Sequence, residues 1–140
     1  MGKHVVLNRP IGWEPDSWAY HGDDGKFFLG QREGRALGDR FGHGDTVGCG
    51  VNFRDGVVFF TKNGHWVGCS KWQFRRSFSD PHAKREITGL PVRSMHKHKL
   101  FPAVSFKRQG DGVVANFGQT PFKYNIEDMM KVGTMWIVEY

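Results

Sequence analysis

Short apolar runs that end at glycine turns are the feature that most limits what this chain can fold into. Three turn signals stand at residues 22–25 (GDDG), 54–56 (RDG) and 63–64 (NG). Asp and Asn tolerate, and Gly favours, the positive φ angles of tight hairpin turns, and Asn-Gly is the strongest such signal. Because 19 of the 140 residues are glycine, we expect many tight turns and therefore many short strands.

The strands between these turns predict an all-β protein. Seven are expected, at residues 18–21, 26–29, 46–53, 57–62, 65–69, 100–106 and 113–117. A turn at residues 109–112 joins the last two. Only residues 126–130 have helical character, with Asn125 as the N-cap. The predicted fold is a two-sheet antiparallel β-sandwich with one short helix near the C-terminus.

Length and composition place this sandwich in one cytoplasmic domain. A chain of 140 residues fits a single domain. Residues 1–6 contain no apolar stretch of a signal peptide, and no apolar run reaches membrane-spanning length. The two cysteines, Cys49 and Cys69, do not make a disulfide framework, which favours a reducing compartment. We expect the cytoplasm, with the nucleus as an alternative, and no membrane partner.

Residues 71–99 break the strand rhythm and carry the positive charge. Eight Lys and Arg stand there against two acidic residues, which accounts for the net charge of +6 of the whole chain. We predict an exposed loop insertion with a short strand near residues 86–88. Three interpretations stay open: a solvated loop, docking to an acidic protein surface, or nucleic-acid contact. The residues that would make either contact are Arg75, Arg76, Lys84 and Arg85.

The chain lacks the residue sets of an enzyme or a metalloprotein. No Ser/His/Asp set stands at a recognisable catalytic motif. Asp23 and Asp24 form a turn without the further acidic residues of a calcium loop. His96 and His98 are flanked by lysines, which repel a cation. We predict no enzymatic activity, no metal and no cofactor.

Five blocks in order resemble the SPRY (B30.2) domain, in its Ran-binding branch. Together they cover about residues 7 to 130. The blocks are residues 12–25 (GWEPDSWAYHGDDG), 41–52 around GDTVGCGVN, 59–64 (FFTKNG), 100–104 (LFPAV) and 115–122 (ANFGQTPF) with Ile126-Glu127-Asp128 behind the last. The resemblance implies a concanavalin-like jelly roll and a non-catalytic module that binds a protein or peptide.

The resemblance also nominates contact residues, because loops around the first block help to form the partner surface in several SPRY branches. They are Pro10, Trp13, Tyr20 and His21. The alternative is that the aromatic residues belong to the core. Period 2 along a strand places Trp18 and Tyr20 on one face, which favours the inner face for both.

Two departures from the family pattern stand out. The first block lies almost at the chain start, where a SPRY domain already has several strands behind it, so we expect a domain incomplete on its N-terminal side. The partial domain would span residues 7–130, and the tail at 131–140 would follow it. We hypothesise that residues 135–140 cover an open sheet edge. The basic insert is the second departure.

The family context suggests wider roles. Close SPRY relatives act as scaffold or substrate-recruiting subunits of a CTLH/GID-type E3 ubiquitin ligase, so E3 subunits are candidate partners. SPRY proteins of this branch are also secreted as effectors by some plant-parasitic nematodes, so a secreted form with a lost signal peptide is an alternative. A nucleic-acid-binding protein that acts through the basic insert is the rival from another class.

Overall fold

The computed structural model describes residues 8–54, 56–71, 86–88, 99–127 and 135–140. These contain eight strands in two sheets. The strands are β1 (Trp18–Tyr20), β2 (Lys26–Leu29), β3 (Arg35–Ala36), β4 (Val47–Asn52), β5 (Val57–Lys62), β6 (His65–Lys71), β7 (Glu86–Thr88) and β8 (Met135–Glu139). The predicted all-β class and the two-sheet architecture are confirmed. Within the described residues, no helix is long and apolar enough to cross a membrane.

The smaller sheet has the order β1-β2-β3. Strands β1 and β2 form the predicted antiparallel hairpin, in which Tyr20 lies opposite Phe27. Gly25 closes the turn with φ 68°, and its amide donates to the carbonyl of His21 at 3.0 Å. Strand β3, which the sequence pattern did not predict, pairs with β2 and forms the outer edge.

The larger sheet has the order β7-β6-β5-β4-β8. Its central hairpin, β5 with β6, turns at Asn63-Gly64 as predicted. Both residues adopt positive φ angles, 52° and 81°, as the favoured two-residue turn requires. The short strand expected near residue 87 is β7, but it runs parallel to β6. The other three strand pairs of this sheet are antiparallel, as the sequence predicts.

The C-terminal tail is part of the larger sheet. Strand β8 pairs antiparallel with β4 from Gly48↔Glu139 to Asn52↔Met135. Beyond the strand, the amide of Tyr140 donates to the carbonyl of Val47 at 2.8 Å. The hypothesis that the tail covers a sheet edge is confirmed, and the edge is that of β4.

The core lies between the two sheets. Tyr20, Phe27 and Leu37 from the smaller sheet and its following loop meet Val58 and Phe60 from β5. Each large side chain buried in this way stabilises the fold by about 1.5–3 kcal/mol. Phe59 points to the opposite face of β5, as period 2 requires.

A second apolar cluster covers that opposite face. Phe59 and Ile137 are buried there. Three partly buried side chains from the segment before β8 pack against them: Phe122, Tyr124 and Ile126. Trp66 stacks on Phe59 with ring centroids 4.9 Å apart. Both faces of the larger sheet are therefore covered by apolar side chains.

Two predicted strands are absent. Residues 100–106 and 113–117 form no strand, although Asn116 makes a single bridge to Glu139. The predicted turn between them is present, and in it the amide of Asp111 donates to the carbonyl of Arg108 at 3.4 Å. β-propensity alone does not make a strand, because the backbone must also find a neighbouring strand to pair with. Of the predicted helix at residues 126–130, residues 128–130 lie outside the described part.

Candidate partner-binding surface

The loop that precedes β1 is fixed on the outer face of the smaller sheet. The amide of Gly12 donates to Ser17 Oγ at 3.1 Å, and that hydroxyl donates to the carbonyl of Glu14 at 2.6 Å. The amide of Gln31, beyond β2, donates to the carbonyl of Gly12 at 3.1 Å. These bonds tie the loop to the open end of the β1–β2 hairpin, where β1 begins and β2 ends.

Gly12 lets this loop lie close to the sheet. It adopts φ 98°, and a Cβ there would lie 2.7 Å from Cβ of Phe28 and 2.9 Å from Cβ of Ala19. Only glycine fits both the backbone angle and the space. The next residue, Trp13, is thereby placed over the outer side of β2.

Trp13 presents a half-buried indole beside an exposed arginine. Its ring is tilted against Phe28, with centroids 6.4 Å apart, and Cζ of Arg32 lies 5.6 Å from the indole centroid. This is a cation–π distance. The indole Nε1 is buried and has no hydrogen-bond partner among the described residues.

His21 lies on the other side of the same phenylalanine. Its imidazole stacks on Phe28, with centroids 4.0 Å apart, and its Nε2–H donates to the carbonyl of Ile11 at 2.8 Å. His21 is half-buried, so its ring helps to hold the loop as well as to shape the surface. Pro10 is also half-buried, and its carbonyl accepts from the amide of Trp13 at 3.4 Å.

Four of these residues form one surface over the buried ring of Phe28, which we call the Trp13 face (Pro10, Trp13, His21 and Arg32). The structure thus brings together three of the four predicted contact residues. Arg32, and the support that Phe28 gives to the face, were not predicted. An arginine in the turn directly after an aromatic strand was the available signal, but only the fold shows that this turn lies beside the Trp13 loop.

Tyr20 is the exception and corrects the prediction. Its side chain is buried in the core, where it contacts the rings of Phe41 and Phe60, and its hydroxyl donates to the carbonyl of Asp39. Burial, followed by the charges of Asp39 and Asp45, raises the pKa of Tyr20 to about 12. Trp18 packs against the same core, so the period-2 argument is correct for both residues.

The Asp-Asp turn brings three candidate metal ligands together. One ligand atom each from His21, Asp23 and Asp24 lies within 4.8 Å of the others. Lys107 binds Asp23 and is the main cause that lowers the pKa of that carboxyl. Asp24 Oδ1 accepts from the amide of Lys26 at 3.0 Å, which is the predicted turn chemistry. The lysine charges oppose a cation here.

The other predicted contact residues, Arg75, Arg76, Lys84 and Arg85 in the basic insert, lie outside the described residues. Cys49 is a free thiol, and burial raises its pKa to about 12. Such a thiol is a poor nucleophile at neutral pH, which agrees with its interpretation as a small strand residue.

Comparison with known proteins gives one consistent result. The sequence pattern that defines the SPRY domain matches residues 2–120. Ran-binding protein 9 of Xenopus laevis is 39% identical over 127 residues, which cover 91% of this chain and 19% of that protein. The Ran-binding proteins 9/10 homolog of Drosophila melanogaster is 40% identical over 126 residues, which cover 89% of this chain and 11% of that protein.

A plant relative and a solved structure complete the comparison. The Ran-binding protein M homolog of Arabidopsis thaliana is 35% identical over 121 residues, which cover 86% of this chain and 21% of that protein. A human SPRY domain of known crystal structure is 41% identical, with a TM-score of 0.45 over 50% of this chain and 47% of that one. The chain thus spans about a fifth or less of the length of the curated relatives.

Proposed function

Because this chain belongs to the SPRY domain family, whose members are protein-interaction modules, we propose that it binds a peptide segment of a partner protein through the Trp13 face and catalyses no reaction. The observation that carries the proposal is the pairing of the Trp13 indole with the Arg32 guanidinium at 5.6 Å. Trp and Arg are the residues that most often dominate the binding energy of protein interfaces.

The rigidity of the Trp13 face supports this function. The loop is held by the Ser17 hydroxyl, by the Gln31 amide and by the imidazole of His21. A surface ordered before binding loses less conformational entropy when the partner arrives. The indole supplies apolar area, while Arg32 supplies donors for a carboxylate or a carbonyl of the partner.

The cellular role we propose follows the family context. The chain would recruit a substrate to, or serve as a scaffold in, a CTLH/GID-type E3 ubiquitin ligase in the cytoplasm. The names of its relatives identify Ran as a ligand of those proteins, so Ran is also included as a test ligand. Ran or E3 subunits among the partners that the wild type recovers would support these two proposals.

The test is affinity purification from cell extract with the wild type, Trp13→Ala and Arg32→Ala. Arg40→Ala is the matched control, because Arg40 is an exposed arginine that is not part of the Trp13 face. We expect the same partners to be lost from both face variants and kept by the control, with E3 subunits among them. Full recovery by both face variants would refute the proposed surface.

A deletion of residues 72–98 tests the basic insert in the same experiment. Partners that disappear with this deletion, yet survive Trp13→Ala and His21→Ala, would move the binding site to the insert. Nuclease treatment that strips every partner would favour the nucleic-acid alternative.

A further inference from the structure

A second surface of different character lies far along the chain from the Trp13 face. In the described part, seven large apolar residues are exposed, and six of them fall in residues 99–117, which we call the apolar arm. Phe101 is 80% exposed and Val114 is 88% exposed. The others are Val104, Phe106, Val113 and Phe117. Such a concentration of exposed apolar side chains is typical of an interaction site.

The backbone of the arm is open as well. From residue 99 to residue 106, no amide or carbonyl forms a hydrogen bond to any described residue. Toward the tip, a Cβ at Gly110 or Gly112 would have nothing within 4 Å. Between residues 99 and 106, the peptide groups therefore lack hydrogen-bond partners in the described structure, and Phe101, Val104 and Phe106 expose their apolar side chains.

The arm is nevertheless anchored near its start, at its middle and near its end. Lys107 binds Asp23 in the β1–β2 turn. Asn116 exchanges two backbone hydrogen bonds with Glu139, at 2.7 and 3.1 Å. Leu100 packs against the main core. An extended segment that is held at its ends and unpaired along its length is a template for a further strand.

Pro102 decides which edge of this segment is available. Successive residues of a strand direct their amides to alternate edges. Pro102 has no amide, so the edge it shares with Leu100 and Val104 lacks one donor. The other edge, formed by Phe101, Ala103 and Ser105, has all its donors and is the better one for pairing.

The charges that flank the segment determine which partner strand would bind to it. Lys99 and Arg108 are exposed and place positive charge at both ends of the apolar stretch, and Lys107 beside Arg108 is exposed although it binds Asp23. If two copies of this chain paired antiparallel about Ala103, Lys99 of each would lie opposite Lys107 of the other. Like charges in opposite positions destabilise a strand pair. A segment with carboxylates at its ends has the complementary charge.

We propose that residues 99–107 accept an extended strand from a partner protein, and that this strand has an apolar centre and acidic residues at both ends. Backbone hydrogen bonds along the edge of Phe101, Ala103 and Ser105 supply affinity, and the flanking cations select the sequence. The segment shares no residue with the Trp13 face, so this proposal does not depend on the proposed function.

Two labelled peptides of about nine residues, the length of a typical short strand with its flanks, provide the test. Both have alternating valine and threonine at the centre. One carries a pair of glutamates at each end, and the other carries lysines. We expect saturable binding of the glutamate peptide alone, measured by fluorescence anisotropy. Equal binding of both peptides, or binding of neither, would overturn the proposal.

Charge-reversed variants locate the site. The double variant Lys99→Glu with Arg108→Glu should weaken binding of the glutamate peptide about fivefold, as expected for two lost cross-strand charge pairs, and should bind the lysine peptide instead. Arg40→Glu is the matched control, and Trp13→Ala should bind as the wild type does. Loss of binding in Trp13→Ala would assign the peptide to the Trp13 face and overturn the proposal.

A pair of proline variants tests the edge. Ser105→Pro removes an amide from the edge that pairs, and we expect about tenfold weaker binding, since proline interrupts a strand ladder. Val104→Pro removes an amide from the opposite edge and should bind within about threefold of the wild type. Both positions are exposed, so thermal unfolding should be unchanged. Weaker peptide binding by Val104→Pro than by Ser105→Pro would contradict the proposed edge.

Analytical sedimentation without peptide tests whether a second copy of this chain occupies the arm instead. A monomer at the concentration of the binding experiment agrees with the proposal. A dimer that Ser105→Pro dissociates would show that a second copy occupies the arm, and would overturn it.

Discussion

The ring of Phe59 lies over Gly50 on the neighbouring strand, in the space where a Cβ at that position would stand. Phe59 is completely buried, and it supports the cluster that also contains Ile137 and Tyr124. A glycine inside a strand normally weakens it, but here the backbone is covered by an aromatic ring from the partner strand.

This relationship predicts that Gly50→Ala is strongly destabilising. The new methyl group must displace a fully buried ring, and overpacking of this kind costs about 1–3 kcal/mol. Gly42→Ala is the matched control, since nothing lies within 4 Å of a Cβ there. Urea unfolding should show a lower midpoint for Gly50→Ala alone. Equal midpoints for the two variants would contradict the packing described for Phe59.

Tyr20→Phe should reduce stability and change its dependence on pH. The variant loses the hydrogen bond to the carbonyl of Asp39, which is worth about 1 kcal/mol. The pKa of Tyr20 is raised from 10.0 to about 12, so the folded state favours the neutral phenol. This contribution is complete below pH 10.0 and is lost as the pH rises to about 12.

The stability difference between the wild type and Tyr20→Phe isolates this effect, because Cys49 contributes equally to both proteins. We expect the difference to shrink across that alkaline range in thermal unfolding at stepped pH. A stability difference that grows with pH would contradict a raised pKa of Tyr20 in the folded state.

Glu139→Ala should loosen the attachment of β8. The buried carboxylate accepts from the amides of Lys123 and Tyr124 at 2.9 and 3.0 Å. Loss of an acceptor that bears charge costs about 1.5–3 kcal/mol. Glu127→Ala, at an exposed position, is the control.

Hydrogen exchange provides a local measurement for the same variant. The amides of Lys123 and Tyr124 should exchange faster in Glu139→Ala than in Glu127→Ala. Unchanged protection at both amides would mean that the carboxylate does not hold this segment.

Asn63→Gly should raise the pKa of Asp45 while keeping the β5–β6 turn. Asn63 Nδ2 donates to Asp45 Oδ1 at 2.7 Å, and this bond is the largest cause that lowers the pKa of Asp45 below 3.8, ahead of the Gly42 amide. Glycine adopts the φ of 52° found at Asn63 without strain. The readout is the NMR titration of the Asp45 carboxyl carbon, with Asn125→Ala as the control.

The acid stability of the two proteins should differ accordingly. A lowered carboxyl pKa stabilises the fold above pH 3.8, and the benefit is lost as the pH falls through the lowered value. The Asn63→Gly protein should therefore lose less stability on acidification. An unchanged Asp45 titration would rule out the Asn63 contact.

Local backbone preferences made most of the turns and strand faces predictable from the sequence. Asn63-Gly64 and the Asp-Gly turns determine where hairpins form, because few residues tolerate positive φ. Period 2 assigned Trp18 and Tyr20 to the core face. The ordered blocks around them identify the family, and the apolar tail correctly suggested a strand that closes a sheet edge.

Pairing and burial were decided only by the tertiary structure. Residues 100–106 have the composition of a strand but no strand beside them in the described structure, because a strand needs a neighbour as well as propensity. Tyr20 was a candidate contact by motif, yet its side chain points into the core, while Arg32 joined the Trp13 face from a separate turn. The sequence by itself determined the turns, the strand faces and the family of this protein. The fold determined which side chains share a surface, because residues distant along the chain become neighbours only when the sheets pack.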